Sequence, residues 1–341
     1  MLLAAEGLAL IAVAVVLAGP VPAALARAAW PARSPRAALV LWQAVGLGGG
    51  LAILGAGVTL AVSGLHRSWL GGVAALPGRL LPGHALARGA HGAIRHLAGP
   101  GPLGWAGVAL TLAAGAWLFA VLVVSTTRLL LARREHRRRL DLLAGELRLG
   151  ELIPVPSVAV GGEPPDDGRE PDEPGADGGL SPGLRVRLLD HPLVAAYCLP
   201  GVRPRIVLSQ GVLDVLSAAQ LAAVVSHERA HARGQHDLVI LPFRAWRQTF
   251  PFLPAARSAL AAVELLVEML ADDTASRRCG PAPLLAALHR LADAAPGDVQ
   301  VATRAARLAA PPARLPWLAT AAAYLAALAL VGLPPAILLA S

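Results

Sequence analysis

Lysine and asparagine are absent from this 341-residue chain, so all 30 basic residues are arginine. Set beside abundant alanine, glycine, proline and arginine, that absence reads as coding base composition rather than as function. Cysteine is nearly absent too. Cys198 and Cys279 lie far apart and fit no CxxC spacing, which excludes a disulfide framework or a cysteine metal cluster and leaves both as packing residues of a reducing compartment. Charge is scarce: 15% of residues are charged against 55% hydrophobic, and the mean hydropathy is +0.58. That balance excludes an ordinary soluble domain. The formal net charge of +8 invites a nucleic-acid partner, but no recognition motif accompanies it. The arginines cluster beside apolar runs, where topology and anionic headgroups explain them, so no direct nucleic-acid binding is expected.

Four apolar runs, near residues 2–26, 37–65, 102–131 and 317–340, are each long enough to cross a hydrocarbon core. The first could be a cleaved signal peptide, with Ala24-Leu25-Ala26 as the cleavage site. It lacks a basic leader and carries Glu6, which favours an uncleaved span. Arg27, Arg33 and Arg36 follow the first run, and Arg133-Arg134-Glu135-His136-Arg137-Arg138-Arg139 follows the third. Both are expected on the cytoplasmic side under the positive-inside rule. Residues 1–131 thus read as three transmembrane helices with an external loop at 66–101, amphipathic and lying on the membrane. Residues 132–315 read as a cytoplasmic domain interrupted by a disordered acidic insertion at 161–183, and 316–341 as the fourth span. The acids of the insertion match no calcium-loop spacing.

Within that domain stands His227-Glu228-Arg229-Ala230-His231. Positions i and i+4 share a helix face, so both imidazoles can reach one metal ion while Glu228 addresses the water to be activated. The bland alternative is an amphipathic helix whose polar face happens to carry two histidines. Leu221-Ala222-Ala223-Val224-Val225 argues against it, because this run buries the turn that carries the motif, and buried polar groups need partners. Ser217 with Gln220 has the form of a capping box, so the helix is expected to start at Ser217 with the histidines well inside it.

A hydrolytic zinc site takes a third protein ligand and keeps a position for water. Glu268, in Glu268-Met269-Leu270-Ala271-Asp272, is the candidate, with Glu264 one turn earlier as its rival. Asp272, four residues after Glu268, is placed to accept the remaining ring N–H of a histidine ligand. His236 follows the motif and has three readings: a partner of the ligands, a substrate contact, or the polar end of the helix.

Residues 184–189, 194–199 and 205–208 read as short strands, with 194–199 as the edge on which an extended substrate could be added. Phe243, Trp246, Phe250 and Phe252, broken by Pro242, Pro251 and Pro254, suit a membrane interface or the side of a span.

Pro204-Arg205-Ile206-Val207-Leu208-Ser209-Gln210-Gly211, Leu216-Ser217, Val224 to His231 and the block from Glu268 to Ala275 together resemble the BlaR/MecR family of membrane-embedded metallopeptidases. The resemblance implies a gluzincin: an α-helical membrane protein with about four transmembrane helices and a cytoplasmic α+β zincin-like domain. It implies one Zn2+ per chain on His227, His231 and Glu268, with Glu228 as catalytic base. Where family members often carry Asp five residues after the second histidine, this chain has His236, and Asp237 follows. The better-known sensors continue into an external penicillin-binding domain, whereas no such domain is expected after Ser341. The implied function is a signalling protease that cleaves a cytoplasmic regulator such as a transcriptional repressor. A quality-control protease of the HtpX/Ste24 kind and a non-proteolytic signalling or scaffold protein are the alternatives. Expected partners are a protein or peptide substrate, the lipid bilayer and a second copy of the chain.

Overall fold

The computed structural model describes residues 2–63, 102–148, 185–199, 205–294 and 300–339; the expected external loop at 66–101 and acidic insertion at 161–183 lie outside the described residues. The chain folds as two compact units, one comprising Met1–Thr127, Leu241–Leu266 and Arg314–Ser341, the other Arg128–Ile240 and Val267–Ala313.

The first unit contains helices α1 (Leu2–Ala18) and α2 (Pro20–Arg27), a 3-10 turn at Trp30–Arg33, and α3 (Pro35–Val62). It also holds the first part of α4 (Pro102–Leu143) and α11 (Trp317–Leu339). Among the described residues four helical stretches are long and apolar enough to cross a membrane: Ala5–Arg27, Pro35–Val62, Gly104–Arg138 and Trp317–Leu339. The first is broken at Gly19-Pro20, because proline cannot donate to the preceding turn. Outward-facing Trp117, Phe119 and Leu122 on α4 are exposed, as side chains that meet lipid rather than water would be. Small residues set the packing distance. A Cβ at Gly107 would come within 2.3 Å of the Ala61 amide nitrogen, so α3 and α4 touch backbone to backbone. Phe243 is buried edge-on against Trp42 of α3, with ring centroids 6.3 Å apart, so part of the broken aromatic cluster rests on a span-length helix.

The second unit is built on a four-stranded sheet in the order β1-β2-β4-β3, with β1 Ala144–Arg148, β2 Arg185–Leu189, β3 Ala196–Leu199 and β4 Arg205–Ser209. β2 and β4 are parallel, whereas β1 and β3 join antiparallel. Sequence reading anticipated β2, β3 and β4. It missed β1, whose Ala-Gly-Glu-Leu-Arg lacks apolar alternation and takes its register from β2. β3 forms one edge of the sheet among the described residues, where the expected edge strand was drawn.

Helices α5 (Gln210–Val215) and α6 (Ala218–Arg233) follow β4. Helices α7 (His236–Thr249) and α8 (Pro254–Cys279) contribute residues to both units, and α9 (Pro281–Ala294) and α10 (Val301–Ala309) complete the second. Val186, Ile206 and Leu208 from the sheet and Leu221, Val224 and Val225 from α6 form one core. Ala223 on the neighbouring face of α6 packs with Ala275, Leu284, Leu288 and Leu308 in another. Two apolar faces therefore fix the rotation of α6. The capping box begins this helix as expected: the Ser217 amide donates to Gln220 Oε1 at 2.9 Å, and the Gln220 amide donates to Ser217 Oγ at 3.4 Å.

Candidate metal centre

Burial of the apolar faces of α6 carries the motif turn inward, leaving His227 only 7% exposed. His227 Nε2 lies 3.0 Å from His231 Nε2 and 3.3 Å from Glu268 Oε2, and His231 Nε2 lies 3.5 Å from Glu268 Oε1. Four-coordinate zinc with bonds of about 2.1 Å separates its ligand atoms by about 3.4 Å, so this spacing fits a tetrahedral ion closely. Two imidazoles and a carboxylate are also the donor set of zinc sites that leave a coordination position open. Among the described residues these three form the cluster able to hold a metal. Glu264, the rival, instead meets Arg244 at 3.2 Å.

The far side of each imidazole is occupied as well. His227 Nδ1 lies 3.0 Å from Asp272 Oδ1, and His231 Nδ1 lies 3.1 Å from His236 Nδ1. Asp272 was expected beside one of the two histidine ligands, and His236 had three readings; here Asp272 meets His227 and His236 meets His231.

Arg304 on α10 was missed. Its guanidinium grips Asp272 with two bonds, Nε to Oδ2 at 2.9 Å and NH2 to Oδ1 at 2.7 Å, while NH1 lies 2.9 Å from Glu268 Oε2. One turn later Arg307 holds Asp273 in the same two-pronged way. The paired forks pin α10 against α8. A signal for Arg304 existed: it shares a helical stripe with Val301, Ala305 and Leu308, all packed in the core, and an arginine on such a stripe requires a buried acid.

Glu228 lies at the sheet edge, where the Cys198 amide donates to Oε2 at 3.0 Å, and it lines the same cleft as His227 and Glu268. The Ser209 amide donates to Ala195 O, which makes 195 and 209 a hydrogen-bonded pair. By antiparallel alternation, Ala196 and Cys198 then turn their N–H and C=O groups to the open side. A cleft of about 270 Å³ lies beside Glu228, walled by Val194, Ala196, Val224, Leu284 and Leu288.

Burial disfavours charge throughout this site, and the neighbours decide each outcome. Burial alone would lower the His227 imidazole, yet Asp272, Glu268 and Glu228 carry it up to about 9. Burial raises the Glu228 carboxyl, with His227, His231 and the Cys198 amide offsetting only part of the rise. The same desolvation acts on Glu268, but His227, His231 and Arg304 hold its carboxyl well below the usual range. Asp272 is likewise lowered, by His227 and Arg304 against its burial. Burial and the adjacent His231 push the His236 imidazole down to about 4, leaving it neutral. Burial and the Glu228 charge raise the Cys198 thiol to about 12, which makes it a packing group rather than a nucleophile.

Residues 179–293 match the model of Peptidase family M48, a span that contains His227, Glu228, His231, Glu268 and Asp272. No curated protein and no solved structure matches the chain. The match to Peptidase family M48 over this span and the His-His-Glu cluster together point to a metallopeptidase domain. A match to Peptidase family M48 beside four apolar helices of spanning length suggests a membrane metalloprotease.

Proposed function

We propose that the chain is a zinc-dependent endopeptidase, with His227, His231 and Glu268 holding one Zn2+ and Glu228 as general base. The observation that carries this reading is the spacing of 3.0 to 3.5 Å among the two imidazole nitrogens and the Glu268 carboxylate oxygens, with the Glu228 carboxylate, which is not one of the ligands, in the adjoining cleft. A zinc ion bound there acidifies water and polarises a peptide carbonyl. Glu228 moves the proton. Its Oε2 is occupied by the Cys198 amide, so Oε1 takes a proton from the attacking water and delivers it to the leaving amine. Burial raises the Glu228 carboxyl above the usual carboxylate range, a direction that suits a group that must both accept and return a proton.

The substrate is expected to add to β3 as an extended strand, bonding to the open-side groups of Ala196 and setting an aliphatic side chain into the apolar cleft. Purified protein should carry one zinc per chain, and His227→Ala, His231→Ala and Glu268→Ala should each lose it. Unchanged metal content in all three would remove the ligand assignment. Proton linkage gives the binding a definite sign. His227 keeps its proton up to about pH 9 in the metal-free site, and zinc must displace it. Apparent affinity therefore rises about tenfold per pH unit below about pH 9 and levels off above it. Calorimetry in buffers of different ionisation enthalpy should record about one proton released per zinc near neutral pH, and none would contradict the assignment.

The arginine distribution supports a cytoplasmic catalytic domain. Reporter fusions after Arg139 and near Pro312 should read as cytoplasmic, and one near Gly83 as external. An external signal at Arg139 would reverse the orientation and the set of substrates within reach. With the domain inside, the function is signalling proteolysis of a cytoplasmic regulator, a transcriptional repressor being the type the BlaR/MecR resemblance implies. A quality-control peptidase of the HtpX/Ste24 kind is the second reading, favoured by the match to Peptidase family M48.

A further inference from the structure

The three residues after α6 form a turn whose shape answers a chemical need of the neighbouring histidine. Gln235 adopts a left-handed backbone with φ of 46°, which reverses the chain immediately before α7. The His236 ring folds back over Gly234, where a Cβ would lie 2.2 Å from Nε2 and 2.4 Å from Cδ2. Glycine is needed here because the ring occupies the side-chain space. The fold-back buries His236 to 8% exposure and sets its Nδ1 3.1 Å from His231 Nδ1, with the rings nearly perpendicular at 84°.

Each ring nitrogen of His231 thus has its own neighbour: Nε2 faces His227 and Glu268, and Nδ1 faces His236. We infer that His236 accepts a hydrogen bond from the Nδ1–H of His231 and so holds His231 in the tautomer that presents Nε2 to the metal. His236 is a positioning residue, not a ligand. This inference rests on the cluster being a metal centre, and it makes the two histidine ligands unequal. His227 is backed by a carboxylate that Arg304 itself holds, whereas His231 is backed by an imidazole. A carboxylate on His231 would add a negative charge to a site already containing Glu228, Glu268 and Asp272. A neutral acceptor fixes the tautomer without that repulsion.

Two variants separate hydrogen bonding from packing. His236→Phe keeps a ring over Gly234 but has no acceptor, whereas His236→Asn loses the ring yet places Oδ1 where Nδ1 was. Zinc affinity by chelator competition should fall about 10–100-fold in the Phe variant and recover in the Asn variant. The visible spectrum of the cobalt-substituted protein should shift in the first and return in the second. Selective 15N-histidine NMR of the wild type tests the same bond without substitution: His231 should carry its proton on Nδ1, bonded to His236. Wild-type affinity and cobalt spectrum in His236→Phe, or a His231 proton on Nε2, would overturn the inference and leave the peptidase reading standing. A wild-type chain that binds no zinc would overturn both.

Discussion

Glu228→Ala is expected to lower peptide cleavage by about 10²–10⁴-fold while zinc stays bound, because the substitution removes the proton carrier and none of the ligands. The structure explains why metal and activity should separate. Glu228 bonds to the Cys198 amide at the sheet edge, whereas the metal cluster is closed by His227, His231 and Glu268. Loss of the carboxylate frees the Cys198 amide on the open side of β3, where water can take the vacated bond, so the fold should persist. Zinc content and melting temperature near wild type, with cleavage reduced by at least two orders of magnitude, is the expected set of results. Undiminished cleavage would mean that another group moves the proton. In cells, a regulator lost in the presence of the wild type should persist with Glu228→Ala, and equal loss in both would exclude this chain as the protease responsible.

Arg304→Ala is expected to destabilise the second unit by about 3–5 kcal/mol, the usual cost of removing one partner from a buried ion pair. Asp272 is 1% exposed and receives two of its bonds from Arg304, while the third contact reaches Glu268. Without the guanidinium, buried Asp272 and half-buried Glu268, one turn apart, lose the cation that bridges them, and their pKa values rise because Arg304 had lowered both. Zinc affinity should fall with stability, since Asp272 backs His227 and Glu268 is itself in the cluster. Arg304→Lys should recover only part of either loss: an ammonium supplies the charge but not the two-pronged geometry. Denaturant unfolding and chelator competition measure the two effects, and a Lys variant equal to wild type would reduce the role of Arg304 to charge alone.

Short-range periodicity was enough to find the motif helix and its start. The i and i+4 histidines, the Ser217–Gln220 box and the apolar run before them all act within a few turns, so the residues themselves state their geometry. The apolar runs were legible for the same reason, since spanning length and lack of charge are properties of contiguous sequence. Glu268 and Glu264 show the limit of this approach. They lie one turn apart on one helix, and only the packing of α8 brings Glu268 to the histidines while Glu264 meets Arg244.

What the sequence determined by itself was the local chemistry: a helix bearing two metal-type donors and a carboxylate, a later helix with an acid and a partner one turn on, and four runs fit for a membrane. Tertiary structure decided what faces what. Arg304 lies 32 residues from Asp272 and reaches it only because α10 packs its apolar stripe into the same core as α6. His236 could have ended the helix in solvent, and a single left-handed residue at Gln235 turns it back onto His231 instead. Both depend on contacts whose strength comes from burial, and burial is a property of the assembled unit that no window of sequence contains.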